Sequence, residues 1–314
     1  MPRVSVIIPA HNAAPFIEAT LDSVRAQTYD DWEVVVADDG SSDATWELLQ
    51  GAGERVRSFH REQAGGPAVA RNLALSHANG EFAMFLDADD LLLPRYLESQ
   101  LARYEQARSE PGADIGLVCC DARILIGDDY APYTHLERIP DRDAPITLDR
   151  VLRRNPIYGA CLVPWPVGEE VGWFDPELFG TEDFGLWIKI LEAGYRGVLN
   201  QDVLAVYRRT AGTVSSNIAS QGLNNRRAYE LALQRGRLDR RQRRIARRAI
   251  RYNHAMEEIA RLRFSSDGGR RGLRVLRRLP LLLAVALGNP QMWPEWLRLL
   301  RTGRARDAAE LRAH

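Results

Sequence analysis

An apolar run at residues 82–86 ends abruptly in an acidic cluster, Asp87-Ala88-Asp89-Asp90. A run rich in Phe, Met and Leu is typical of a strand that is buried on both faces of a sheet. Such a strand can hold the carboxylates that follow it at one fixed edge of the sheet. Carboxylate oxygens suit a hard divalent cation that keeps several waters and also binds a diphosphate. The cluster therefore predicts a cation site, with a solvated turn after a strand as the plainer alternative.

Two strand–turn–helix units precede this cluster. Residues 4–10 form a β-rich run closed by polar residues, and apolar positions recur at helical spacing over residues 16–24. A second apolar run, residues 32–37, ends in Asp38-Asp39-Gly40-Ser41-Ser42-Asp43, and Asp43 is a candidate N-cap for the next helix. This repetition predicts a parallel α/β sheet, whose ligands bind at the carboxyl edge of the strands.

A glycine turn at residues 64–67 leads into a helix of small residues that carries one basic side chain, Arg71. Gly65 and Gly66 allow the backbone to approach an anion, and the helix N-terminus and Arg71 favour negative charge. Taken alone, the segment would read as an ordinary loop and helix. The sequence has neither a Gly-x-Gly-x-x-Gly fingerprint nor a Gly-x-x-x-x-Gly-Lys-Ser/Thr loop, which disfavours two common nucleotide-binding classes.

Four segments together resemble the nucleotide-sugar half of family 2 glycosyltransferases, the inverting enzymes of the GT-A fold. The resemblance covers about residues 3–210 and implies a Rossmann-like α/β fold with a mixed, mostly parallel sheet flanked by helices. The order and the spacing of the segments match the family as well as the residues do. The segments are Val-Ser-Val-Ile-Ile-Pro-Ala-His-Asn, Val-Val-Ala-Asp-Asp-Gly-Ser-Ser-Asp, Ala-Arg-Asn and Phe-Leu-Asp-Ala-Asp-Asp.

The resemblance also implies roles for the residues at the carboxyl edge. Pro9, His11 and Asn12 border the nucleotide, and Asp38 or Asp39 bonds the base. Many relatives have Tyr in place of His11, which leaves the base open among UDP-, dTDP- and GDP-linked donors. Gly66, Arg71 and Asp87 bind the nucleotide sugar at its diphosphate. Asp87 and Asp89 bind a divalent cation, Mg²⁺ or Mn²⁺.

An inverting transfer also needs a base that takes the proton of the acceptor hydroxyl, on the face of the sugar opposite the leaving diphosphate. The base should therefore come from a segment other than Asp87 and Asp89. Thr181 can cap a helix whose first turn carries Glu182 and Asp183. Acids in a first turn also stabilise a helix through its dipole, which is a sufficient reason for either one alone. The resemblance makes Asp183 the predicted base and lets Glu182 contact or position the acceptor.

Aromatic residues near this helix are candidate acceptor contacts. Trp173, Phe174 and Trp187 offer faces for a sugar ring, and core packing is an equal alternative for all three, which the apolar stripe of the helix favours for Trp187. One position departs from the family pattern, because Thr210 stands where relatives often carry a metal-binding His. The resemblance then leaves the metal to Asp89, diphosphate oxygens and water, or gives part of the neutralisation to the arginines before Thr210.

The formal net charge of zero hides a division of the chain. Residues 1–225 carry 19 basic and 34 acidic side chains, a charge of −15, whereas residues 226–314 carry 23 basic and 8 acidic ones, a charge of +15. The apolar content suffices for a domain of about 220 residues plus an appendage. We predict a transferase domain at 1–225 and an Arg-rich helical C-terminal extension at 226–314.

The extension combines Arg-studded helices at 226–263 with a Leu- and Trp-rich segment at 272–302. Its longest apolar run, residues 279–287, is shorter than the roughly twenty residues that a spanning helix needs. Three readings stay open: contact with an anionic membrane interface, packing on the catalytic domain or a second subunit, and nucleic-acid binding. No recognised motif supports nucleic acid, so we expect no such partner.

The first predicted strand begins almost at residue 1, which leaves no room for a signal peptide. Cys119, Cys120 and Cys161 match neither a disulfide framework nor zinc-site spacing. We therefore expect a cytoplasmic protein, at the inner face of the cell membrane if its acceptor is lipid-linked.

The sequence thus predicts an inverting glycosyltransferase that moves a sugar from a nucleotide diphosphate sugar to a hydroxyl of a saccharide or lipid-linked acceptor, in cell-envelope or exopolysaccharide synthesis. One alternative is a non-catalytic nucleotide- or saccharide-binding relative, for which the missing metal His is the only indication. The other is a sugar nucleotidyltransferase, which would need a Gly-rich basic loop where Pro9-Ala10-His11-Asn12 stands. The sequence leaves the donor sugar, the acceptor and the oligomeric state open.

Overall fold

The computed structural model describes residues 1–110, 114–139, 141–209 and 218–264, with the helical backbone alone at 218–224 and 256–264. The strands are β1 Val4–Ala10, β2 Trp32–Asp38, β3 Val56–His60, β4 Phe82–Phe85, β5 Leu91–Leu92, β6 Ile115–Ile126, β7 Asp129–Thr134, β8 Cys161–Pro164 and β9 Arg196–Arg209. The α-helices are α1 Ile17–Arg25, α2 Thr45–Gln50, α3 Pro67–Ser76, α4 Tyr96–Arg108, α5 Leu148–Arg153, α6 Trp165–Val171, α7 Glu182–Glu192, α8 Ile218–Arg235 and α9 Arg240–Phe264.

Within these described ranges, nine strands form one sheet in the order β3-β2-β1-β4-β8-β6-β9-β5, with β7 paired to β6. Strands β1, β2, β3, β4, β6 and β9 run in one direction, and β5, β7 and β8 run in the other. The sheet is therefore mixed and mostly parallel, which confirms the predicted fold class.

The central strands are buried on both faces, as their apolar runs predict. On β1, Val6 and Ile8 face a hydrophobic cluster that includes α1, while Ile7 faces the cluster that includes α3 and α7. All three side chains are fully buried. Each stabilises the fold by about 1.5–3 kcal/mol. This double burial fixes the sheet between two helical layers.

The parallel strands end at one edge, and this edge positions the polar loops. Ala10 pairs with Asp38 at the ends of β1 and β2, and Ile7 pairs with Phe85 at the end of β4. The loops that follow these strands therefore lie side by side. The acidic residues after β4 and the polar residues after β1 and β2 therefore share the carboxyl edge of the sheet.

One expected helix cap is wrong, and the other is at its predicted position without a side-chain bond. Helix α2 has Ala44 at its N-cap, while Asp43 accepts a hydrogen bond from the Thr45 N–H at 3.0 Å and one from the Ala14 N–H at 3.1 Å. Asp43 therefore fastens the loop after β1 to α2. Thr181 does occupy the N-cap of α7, but its buried hydroxyl makes no hydrogen bond with the described residues.

The described part of the predicted extension packs against the sheet domain. Ala228, Tyr229, Ala232, Leu238 and Ala246 are buried in the same hydrophobic cluster as α7. Arginines of α8 and α9 pair with acids of the preceding domain, namely Arg227 with Glu177, Arg235 with Glu192 at 2.7 Å and Arg241 with Asp149 at 3.0 Å. These contacts agree with the packing reading for residues 226–255. The division at 225 stays a prediction, and the segment 272–302 lies outside the described residues.

Among the helices that the structure describes, none combines the length and the apolar character that crossing a membrane requires.

Candidate active site

The loops after β1 and β2 are fastened to each other. Asn12, which has a φ of 51°, donates its N–H to the Ser41 hydroxyl at 2.9 Å and accepts the Ser42 N–H at 2.8 Å. A left-handed backbone is tolerated by Asn because its short polar side chain can bond locally. The His11 Nδ1 lies 2.8 Å from the carbonyl oxygen of Asp39. The exposed side chains of His11 and Asn12 thus stand on a loop pair that is held in one shape.

The carboxylates of Asp38 and Asp39 are both buried and engaged with protein groups. Asp38 bonds the Ser41 hydroxyl and lies 2.7 Å from the His60 Nδ1. Asp39 accepts the Gly66 N–H at 2.7 Å, and also the Gly65 N–H and the Arg61 guanidinium. Asp39 therefore orients the glycine turn that begins α3. The proposal that one of the two aspartates reads the base stays a prediction.

Asp87, Asp89 and Asp90 each offer one carboxylate oxygen within 4.8 Å of the others. Both oxygens of Asp90 are used, because one accepts the Tyr158 hydroxyl and the other accepts the Arg208 N–H at 2.8 Å. No other residue in the described ranges donates a hydrogen bond to the Asp89 carboxylate. Asp87 accepts one from Arg71 on Oδ1, and its Oδ2 accepts none from the described residues. The donor set of Asp87 and Asp89 fits a divalent cation, and Asp90 fits a supporting role.

The electrostatics of the cluster favour a cation as well. Burial, followed by the charge of Asp87, raises the pKa of Asp89 to about 6. Burial and the charges of Asp87 and Asp89 also raise the pKa of Asp90. Carboxylates that repel one another in a poorly hydrated place are stabilised in the ionised form by a positive charge.

Arg71 links this cluster to α7. Its guanidinium donates to Asp87 Oδ1 at 2.5 Å and, through its other terminal nitrogen, to Glu182 Oε1. The side chain is nearly fully buried, and the guanidinium lies 5.3 Å from the centre of the Phe174 ring. Burial by itself would lower the pKa of Arg71, but Asp87 and Glu182 raise it, so the group stays charged. We call Asp87, Arg71 and Glu182 the ionic bridge.

Asp183 follows the ionic bridge at the head of α7. Its Oδ1 accepts the Phe184 N–H at 2.6 Å, and its Oδ2 faces Gly159, where an added Cβ would lie 3.8 Å away. Burial, followed by the charge of Glu182, raises the pKa of Asp183 to about 7, although the Phe184 N–H and Arg71 lower it. One carboxylate oxygen therefore accepts a backbone N–H in the first turn of α7. The other oxygen can accept a proton, and the carboxyl group has a pKa suited to a general base.

The three aromatic residues near α7 differ in their surroundings. Trp187 is fully buried, which confirms its predicted place in the core. Phe174 is only 2% exposed and packs between Arg71 and Phe85, and Trp173 packs against Trp165 with ring centroids 5.1 Å apart. Both rings are engaged in packing, which agrees with the core alternative, and their contact with an acceptor stays a prediction. Glu182 is the other candidate acceptor contact, and one of its oxygens accepts a hydrogen bond from Arg71.

Thr210 lies outside the described residues.

Several residues of the edge were not singled out from the sequence. Asp90, Tyr158 and the Arg208 backbone fasten the acidic turn to β8 and β9, and His60 and Arg61 fasten the aspartates after β2. His60 carries one usable signal, which is its place at the end of a strand. In the structure it pairs in register with Asp38 at the end of β2. Tyr158 carries no signal in the sequence near it.

Known proteins show which family the chain belongs to. The family model described as glycosyl transferase family 2 matches residues 5–156. TuaG of Bacillus subtilis (strain 168), named as a teichuronic acid biosynthesis glycosyltransferase, is 34% identical over 220 residues, which are 69% of this chain and 82% of TuaG. WfgD of Escherichia coli, named as a UDP-Glc:alpha-D-GlcNAc-diphosphoundecaprenol beta-1,3-glucosyltransferase, is 31% identical over 221 residues, 68% of this chain and 80% of WfgD.

Solved structures with low sequence identity share the fold. The mannosyltransferase PcManGT from Pyrobaculum calidifontis, in complex with GDP-Man and Mn²⁺, has a TM-score of 0.63 at 23% identity, over 95% of this chain and 84% of that one. Residues 1–349 of S. aureus TarS, in complex with UDP-GlcNAc, have a TM-score of 0.62 at 20% identity, over 90% and 79% of the two chains. With the family match and the two relatives, these likenesses establish that the chain belongs to glycosyl transferase family 2 and is a glycosyltransferase of the GT-A fold.

Proposed function

We propose that the protein transfers a sugar, with inversion, from a UDP-, dTDP- or GDP-linked donor to a hydroxyl of a saccharide or lipid-linked acceptor in the synthesis of a cell-envelope or exported polysaccharide. The observation that carries the proposal is the ionic bridge, because it connects the acidic cluster to the head of α7, where Asp183 lies. The name of TuaG supports a role in polysaccharide synthesis, and the name of WfgD supports a lipid-linked acceptor. The nucleotides bound to TarS and PcManGT support the donor class.

In this proposal the residues at the carboxyl edge of the sheet and those at the head of α7 have different tasks. The loops with Pro9, His11 and Asn12 border the nucleotide, Asp38 or Asp39 reads the base, and Gly66 and Arg71 lie along the diphosphate. A divalent cation on Asp87 and Asp89, Mg²⁺ or Mn²⁺, would neutralise negative charge on the leaving nucleotide diphosphate. The reaction takes place beside the cytoplasmic face of the membrane that holds the acceptor.

Asp183 acts on the acceptor in the same proposal. Its Oδ2 takes the proton of the acceptor hydroxyl while that oxygen forms a bond to the anomeric carbon. The bond between this carbon and the diphosphate breaks, and the nucleotide diphosphate leaves with the electron pair. Glu182 keeps Arg71 and the head of α7 in place and so positions the acceptor base, while its second oxygen is buried and has no partner among the described residues.

The proposal is tested by thermal unfolding of the full chain with UDP, dTDP, GDP and their sugar conjugates, with and without Mn²⁺. One nucleotide class should stabilise the protein, by about 2.7 kcal/mol at a hundred times its dissociation constant. The matching sugar nucleotide should then be hydrolysed slowly, or its sugar transferred to a saccharide. A protein that binds the nucleotide but never turns it over would instead be the non-catalytic relative.

Removal of one cation ligand gives a direct test of the metal site. Asp89→Asn should weaken Mn²⁺ binding by at least about tenfold, which is the loss typical of altering even an outer partner of a metal ligand. Binding is measured as the Mn²⁺-dependent rise in unfolding temperature, without any turnover. Asp128→Asn changes an acid on the turn after β6 and should leave this rise intact. An unchanged rise in Asp89→Asn would exclude the residue as a ligand.

The pKa of Asp183 predicts a pH dependence of turnover. A base must be ionised to accept a proton, and burial raises the pKa of this carboxyl to about 7. Turnover at saturating donor should therefore fall as the pH drops through about 7, not through about 4 as for an ordinary aspartate. Glu182→Gln removes the charge of Glu182, the second-largest cause of the raised pKa of Asp183. The fall of turnover on the acid side of the pH profile should therefore move to lower pH. If the pH at which turnover falls is unchanged in that variant, Asp183 is not the group that sets the pH dependence.

A further inference from the structure

Helix α9 carries a row of arginines on the side that faces solvent. Arg240, Arg243, Arg244, Arg247 and Arg251 are all exposed. Their spacing of three and four residues places them within an arc of about 100° and over a length of about 16 Å. We call these five residues the arginine face.

The opposite side of the helix is anchored. Ala246 is fully buried and Asn253 is 9% exposed, while Ile245, Ala249 and Ile250 pack on the hydrophobic cluster that includes α7. Because this apolar side is fixed by the core, the helix cannot rotate to bring the arginine face inward. The exposure of the five guanidinium groups is therefore a fixed property of the fold.

The arginine face lacks compensating charge. None of its five side chains forms an ion pair with an acid in the described ranges, and no Asp or Glu occurs in residues 240–256. Other arginines of α8 and α9 do find acids, as Arg235 and Arg241 show. Like charges three or four residues apart destabilise a helix. An anionic surface would relieve this repulsion.

We propose that the arginine face docks the protein onto the anionic headgroups of a lipid bilayer. The inference rests on the proposed function, in which an acceptor is anchored in a membrane. The face is also close enough to serve that acceptor, because Phe184, the neighbour of Asp183, packs against Tyr229 of α8 with ring centroids 5.3 Å apart, and α8 packs on α9. One helix thus separates the docking face from the head of α7.

The chemistry of the groups fits this partner. A guanidinium binds phosphate oxygens in a bidentate manner. Each arginine near an anionic leaflet strengthens binding about fivefold, and salt weakens the attraction. A straight exposed row along a helix suits a flat surface of many phosphates, and no nucleic-acid-binding motif accompanies it.

The test is co-sedimentation of the full chain with vesicles of phosphatidylcholine, alone or mixed with phosphatidylglycerol. The protein should bind the mixed vesicles only, and less tightly as salt is raised. The triple variant R240Q/R243Q/R247Q should bind about a hundredfold more weakly, at fivefold for each arginine. The control R25Q/R95Q/R142Q removes the same charge from exposed positions near acids and should bind like the wild type. Thermal unfolding checks that both variants are folded.

Several results would overturn the docking surface. They are equal binding by the triple variant, an equal loss in the control variant, and equal binding to neutral vesicles. Capture of RNA through the same arginines without vesicle binding would assign the face to nucleic acid. A change of oligomeric state in the triple variant, again without vesicle binding, would assign it to a second copy of this chain.

Failure of this inference can be told from failure of the proposed function. Donor hydrolysis, or transfer to a water-soluble saccharide, is measured without vesicles and should be the same in the wild type and the triple variant. If turnover is present but vesicle binding does not depend on the face, the docking surface is wrong and the transferase stands. If vesicle binding depends on the face but no donor is turned over, the proposed reaction is wrong.

Discussion

Asp183→Asn should lower turnover by about 10² to 10⁴, the range lost when a general base is removed. The substitution keeps the size of the side chain, and the amide oxygen can still accept the Phe184 N–H that Oδ1 now accepts at 2.6 Å. The head of α7 should therefore keep its conformation. What disappears is the oxygen that takes a proton. The measurement is turnover at saturating donor and acceptor.

Donor binding separates this role from a structural one. Because Asp183 acts on the acceptor, the unfolding temperature of Asp183→Asn should rise with nucleotide and Mn²⁺ as it does for the wild type. Glu169→Gln, an exposed acid on α6, serves as the matched control and should retain full turnover. Near-normal turnover in Asp183→Asn would remove the residue from the mechanism.

The sequence was most informative where burial decides structure. Strands β1, β2 and β4 were predictable because a strand covered on both faces must be apolar along its whole length. The placement of Asp38 and the Asp87 cluster at one edge of the sheet followed, because parallel strands end at a common edge. The cation ligands and the candidate base could be selected on the same reasoning together with the family pattern.

Contacts between distant segments could not be read from the chain. Arg71 and Glu182 are separated by 111 positions, so no local pattern marks their pairing. Asp90 resembles its two neighbours in sequence, and only the placement of Tyr158 and of the Arg208 backbone shows that its oxygens are occupied. Thr181 does occupy the N-cap of α7, but Asp183 supplies the side-chain oxygen to the first turn, a choice that the sequence does not mark because both residues can do so.

Arg71→Met should destabilise the fold by about 3–5 kcal/mol, the loss typical of removing one partner of a buried ion pair. Met fills a similar volume over the Phe174 ring, so the loss reports charge more than packing. Without the guanidinium, the carboxylate of Glu182, which is only 5% exposed, stays in the interior next to Asp183 and Asp87 without compensation. Urea unfolding at neutral pH measures the change. Turnover should fall as well, because the link between Asp87 and Glu182 is lost.

A double substitution shows whether charge is the cause. In Arg71→Met/Glu182→Gln the buried acid is neutral, so part of the lost stability should return, with a coupling of about 0.5–3 kcal/mol between the two positions. Arg95→Met is the matched control, since Arg95 pairs with Glu98 on the surface and such pairs contribute at most about 1 kcal/mol. Additive losses in the double variant would mean that Arg71 matters for packing alone. Recovery would show that the ionic bridge holds the base segment against the acidic cluster through opposite charge, which is the arrangement on which the proposed transfer depends.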